Sequence, residues 1–73
     1  MDEIIGVNED DGLVHEYAAS DITLLEYLKG GDVKVMVKYA GKTNYGIVKA
    51  KDAYRVPGYE PIAHRIRSYS LIS

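Results

Sequence analysis

The 73-residue chain contains no cysteine, no tryptophan, no phenylalanine and only two prolines. Without cysteine there are no disulfides and no thiolate metal sites. The two histidines, His15 and His64, lie far apart in sequence and do not make a zinc motif. No apolar run approaches the roughly 18 residues that span a bilayer. The start, Met1-Asp2-Glu3, lacks the charged-then-apolar plan of a secretion signal, so a cytoplasmic location is expected. Catalytic signatures are missing too. There is no Gly-x-Ser-x-Gly elbow, no His-Glu-x-x-His, no phosphate loop and no Gly-x-Gly-x-x-Gly. No enzyme activity and no cofactor are expected.

One short domain, residues 1–73, is what this length allows. A chain so small buries roughly 60 % of the surface its unfolded form exposes. Its core leaves a net stability of only a few kcal/mol, which makes self-association as a homodimer one expected aid.

Charge is distributed unevenly. Residues 1–32 carry nine acids and one base, Lys29, for −8, and residues 33–73 carry eight bases and two acids for +6. The two halves either neutralise each other across the fold or offer a bipolar surface to a charged partner. All seven aromatics are tyrosine, whose apolar ring and polar tip suit half-buried sites and contact surfaces.

The clearest element is Val33 to Tyr39, where Val33, Val35, Val37 and Tyr39 alternate with Lys34, Met36 and Lys38. The residues 41–44 supply a turn, and 45–51 return as a partner strand. Gly46 marks a bulge or a close backbone approach. Ahead of this hairpin, Ile4 to Val7 and Leu13 to Ala18 read as strands around the acidic turn 8–12, which ends in Asp-Gly. Ser20 or Asp21 starts a short helix with Ile22, Leu25 and Leu28 at three-residue spacing, and Gly30-Gly31 end it. Residues 52–61 form a loop with a type II turn at Val56-Pro57-Gly58-Tyr59. Ile62 to Tyr69 resumes a strand.

The fold class expected is mainly β, a small α+β domain. Five short strands and one short helix suit an SH3-like bent sheet or barrel. An open antiparallel sheet with the helix on one face is the alternative. The run from the helix through Val33–Tyr39, the glycine turn, the Arg55-Val56-Pro57 loop and Arg67-Ser68-Tyr69-Ser70-Leu71-Ile72 resembles a reduced WYL-type domain over residues 20–73. Those are SH3-like barrels of bacterial regulators, with small relatives in phages. The chain has no Trp-Tyr-Leu run and carries Ser70 where that family's closing strand has a basic residue. The resemblance therefore implies the fold and not the family's ligand-binding role.

Three function classes follow. The first is a protein-binding module of the phage or mobile-element accessory kind, which binds and modulates a host protein. Its contacts are the acidic hairpin residues Glu9, Asp10, Asp11 and Glu16, with Tyr54, Arg55 and Tyr59 of the loop as anchors. The second is a nucleic-acid module using Lys34, Lys38, Lys49, Lys51, Arg65 and Arg67 with interleaved tyrosines. The third is an oligomer enclosing a nucleotide-like ligand, with Arg55, Arg65 and Arg67 on its phosphates. His15 beside Glu16 is the one candidate general base, and an ordinary strand histidine is the competing reading.

Overall fold

The computed structural model describes residues 3–61. Within them the chain forms one five-stranded antiparallel sheet and a single turn of α-helix. The strands are β1 (Ile4–Glu9), β2 (Val14–Ala18), β3 (Ile22–Tyr27), β4 (Val33–Tyr39) and β5 (Lys42–Val48), and the helix is α1 (Ala50–Ala53). Their spatial order is β2-β1-β5-β4-β3. The edge strands β2 and β3 do not pair among the described residues, so the sheet is open rather than closed.

The core sits on one face. Ile5 and Val7 of β1, Ile22 of β3, Val33, Val35 and Val37 of β4, and Val48 of β5 are buried there together with Ala53 and Val56. Tyr17, Leu24, Tyr27 and Tyr59 pack around them. The alternation of valines and lysines in β4 produces this directly, because successive side chains of a strand point to opposite faces. Each buried Val or Ile contributes roughly 1.5–3 kcal/mol relative to exposure.

A two-residue turn and a close backbone contact set the geometry around β5. The β4–β5 connection is Ala40-Gly41, with φ of 53° and 75°. Two successive positive φ values define the mirror-image turn that matches strand twist in tight hairpins. The turn is therefore shorter than the expected 41–44, and β5 starts at Lys42 instead of Tyr45.

Gly46 is a close backbone approach. A Cβ there would lie 2.5 Å from Val7 Cγ1 and 2.6 Å from the Asn8 carbonyl oxygen. The missing side chain at position 46 lets β1 lie this close beside β5 in the sheet. The two strands share two residue pairs, Asn8 with Ile47 and Glu9 with Gly46.

The segment expected to be a helix is strand β3. Its ladder with β4 carries an irregularity between Leu24 and Glu26, where one extra residue enters. The core-facing residues consequently fall at Ile22, Leu24 and Tyr27, and Leu25 turns outward. This interrupted period imitates helical spacing. The β-branched pair Ile22-Thr23 and the absence of any side-chain hydrogen bond capping the preceding 3-10 turn (Ala19–Asp21) favour the extended chain.

The helix instead follows β5. Residues 50 and 51 of the expected return strand belong to α1. Its start is capped from a distance: Asp32 Oδ1 accepts the Ala50 N–H at 2.8 Å, and Lys49 Nζ lies 3.6 Å from Asp32 Oδ2. Beyond it, Val56–Tyr59 makes the expected Pro-Gly turn, with Gly58 at φ 86° and the Tyr59 N–H donated to the Val56 carbonyl at 3.1 Å. The strand expected over 62–69 lies outside the described residues.

Candidate interaction surface

The acidic hairpin ties two of its four acids, Glu9 and Asp11, to its own side chains and turns Asp10 and Glu16 to solvent. Glu9, His15 and Tyr17 share the core face of the β1–β2 hairpin, since the register pairs Val7 with His15 and Ile5 with Tyr17. The Tyr17 hydroxyl donates to Glu9 Oε2, and His15 Nε2 lies 2.8 Å from Asp11 Oδ2. Asp11 Oδ1 also accepts the Leu13 N–H at 2.9 Å, closing the turn around Gly12. That backbone bond, then His15, holds the Asp11 carboxyl below its ordinary value. The same pair pushes His15 up, because the hydrogen bond to Asp11 favours the imidazolium. Glu9 pushes the Tyr17 hydroxyl up by the matching argument, since phenolate beside carboxylate is disfavoured.

Of the four acids expected to contact a partner, Glu9 is 14 % exposed at its side chain and bound to Tyr17. Asp11 is half-exposed and bound to His15. Asp10 and Glu16 face solvent. His15 is thus a structural partner of the turn and is held by a carboxylate.

The loop residues divide in the same way. Arg55 donates to the Ile4 carbonyl at 2.9 Å and lies 3.4 Å from Glu3 and 3.3 Å from Asp52, which ties the loop to β1. Tyr59 packs edge-to-face on Tyr27, ring centroids 5.6 Å apart, and the Glu60 N–H donates to the Tyr27 hydroxyl. Tyr54 alone of the three projects freely, at 68 % exposure.

The basic residues do not form one strip. Lys34 and Lys38 stand on the outer face of β4. Lys49 and Lys51, expected on that face as strand residues, instead lie before and within α1, where Asp32 engages Lys49. Arg65 and Arg67 lie outside the described residues. A shallow depression of about 180 Å³ is lined by Gly6, Asn8, Val14, Lys49, Lys51 and Asp52. Among the described residues no group of three acids or histidines is placed to hold a metal ion. No helix there is long and apolar enough to cross a membrane.

What the sequence reading missed is the outer face of the sheet. Opposite the core, the cross-strand row Val14–Asn8–Ile47–Lys34 runs over four strands, and Tyr45 pairs with Met36 beside it. Val14 is 60 % exposed, Tyr45 54 % and Ile47 37 %. An antiparallel sheet with one solvated face normally turns polar residues outward. The signal was present in β5, where Tyr45 and Ile47 occupy the side opposite Val48 and so make both faces apolar.

Comparison of the chain with protein-family models, with curated proteins and with solved structures finds no match.

Proposed function

We propose that the chain is a small, non-enzymatic protein-binding module that meets its partner with the outer face of the sheet. The observation that carries this reading is the exposed apolar row of Val14, Ile47 and Tyr45, bordered by Lys34 and Lys38. Burial of tyrosine and aliphatic side chains at the centre of a contact, with charges at its rim, is how small modules gain affinity. Size, charge polarity and the absence of catalytic motifs agree with a cytoplasmic accessory protein of the phage or mobile-element kind, which binds and modulates a host protein.

The test is affinity capture of the full chain from cells, read by mass spectrometry. Tyr45→Ser/Ile47→Thr is expected to lose a partner that wild type and Tyr54→Ala both retain, with an unchanged denaturation midpoint. Equal capture by all three, or no partner at all, overturns the assignment.

A second reading, single-stranded nucleic acid on this face, is favoured by Lys34 and Lys38 standing beside the Tyr45 ring. It requires oligonucleotide binding that weakens steeply with salt. For the nucleotide reading, Arg55 is already engaged by Glu3, Asp52 and the Ile4 carbonyl.

A further inference from the structure

Among the described residues no strand pairs with the outer edge of β2. The Glu9 N–H donates to the Leu13 carbonyl at 3.1 Å, and the Ala19 N–H donates to the Glu3 carbonyl at 2.8 Å. These two bonds bracket the β1–β2 ladder and fix its phase. In an antiparallel pair the hydrogen-bonded positions alternate. His15 and Tyr17 therefore direct their backbone groups to β1, and Val14, Glu16 and Ala18 direct theirs away from it. No hydrogen bond from those three outward backbone sites is made to any other described residue.

Sheet edges are ordinarily blunted by lysine, proline or a bulge. The β2 edge has none of these: its register with β1 is continuous over five pairs, and residues 3–19 contain no lysine, arginine or proline. The other edge, β3, is interrupted beside Leu25. What β2 does carry is Glu16, solvent-exposed at the centre of the strand, with Asp10 exposed at the tip. The register that pairs all five residues of β2 with a second copy sets Glu16 against Glu16, and like charges directly opposite are destabilising. A strand with a basic residue at that position replaces repulsion with attraction.

We infer that β2 is a docking edge for an extended, basic segment of a partner protein, which adds to the sheet as a strand with Lys or Arg opposite Glu16. Backbone bonds to Val14, Glu16 and Ala18 supply affinity, and the acidic hairpin selects charge. This goes beyond the outer-face reading, because it uses the strand's edge and not the apolar row.

The probe is the peptide Lys-Val-Lys-Val-Lys-Val added to the isotope-labelled full chain, followed by amide NMR shifts and hydrogen exchange. Protection is expected at the Val14, Glu16 and Ala18 amides. Methylating alternate peptide nitrogens is expected to abolish binding with the charge unchanged. Glu16→Lys is expected to weaken binding at least tenfold and to favour Glu-Val-Glu-Val-Glu-Val instead, whereas Tyr45→Ser/Ile47→Thr binds as wild type. No binding, binding indifferent to nitrogen methylation, or loss with the outer-face variant instead of Glu16→Lys overturns the inference.

Discussion

Arg55 Nη2 donates to the carbonyl oxygen of Ile4 at 2.9 Å, joining positions 51 residues apart. Its ring of partners, Glu3, Ile4 and Asp52, makes it the fastener between the loop after α1 and the first strand. Arg55→Ala is expected to lower the urea midpoint, because it leaves a carbonyl and two carboxylates without their donor. Tyr54→Ala, one residue away and exposed, is expected to leave the midpoint unchanged. Equal midpoints for the two variants would remove the structural role given to Arg55.

Gly46→Ala is expected to destabilise by about 3 kcal/mol. The added methyl meets Val7 Cγ1 at 2.5 Å and the Asn8 carbonyl at 2.6 Å, and one of these obstacles is backbone that cannot swing aside. Chemical denaturation measures this directly. A near-neutral substitution would mean that β1 does not approach β5 this closely at Gly46.

Ala40→Asn is expected to stabilise. Ala40 sits at φ 53°, a region costing an ordinary L-residue about 1–2 kcal/mol, and asparagine before Gly41 is the preferred pair for this turn. A gain of about 1 kcal/mol raises Tm by about 4–8 °C in a domain of this size. A lower Tm would argue against the two-residue turn.

The His15–Asp11 pair has a defined pH signature. His15 is raised above its ordinary 6.5, so its contribution is complete below that pH and fades as pH rises through the higher folded value. Asp11 is lowered below 3.8, so its contribution holds above that pH and fades as pH falls through the lower folded value. Between them lies a weakly acidic window of maximal benefit. NMR titration is expected to find the His15 pKa above 6.5, and Asp11→Asn to bring it down. A titration unaffected by Asp11→Asn would break the pairing.

The legible parts of the fold were those with an uninterrupted period. Val33–Tyr39 appears with its bounds intact, and the acidic hairpin differs only in the extent of its strands. The close approach at Gly46 and the Pro-Gly turn at 56–59 were also readable from residue type. The segment 20–28 misled because the irregularity near Leu25 shifts the inward positions to a nearly helical spacing. Helix α1 was invisible because its cap, Asp32, comes from elsewhere in the chain. The chemistry of the hairpin acids was hidden for a similar reason. Only the cross-strand register reveals that Glu9 meets Tyr17 while Asp10 and Glu16 stay outside.

The two-pair junction between β1 and β5 has a kinetic consequence. Strands β3, β4 and β5 follow one another through short connections, so their pairing closes small loops. Joining Asn8 to Ile47 closes a much larger one, at greater entropic cost and with only two residue pairs in return. The three-strand meander is therefore expected to form the folding nucleus, and the N-terminal hairpin to dock late. Core truncations at Val35 should then slow refolding, whereas truncations at Ile5 should chiefly accelerate unfolding.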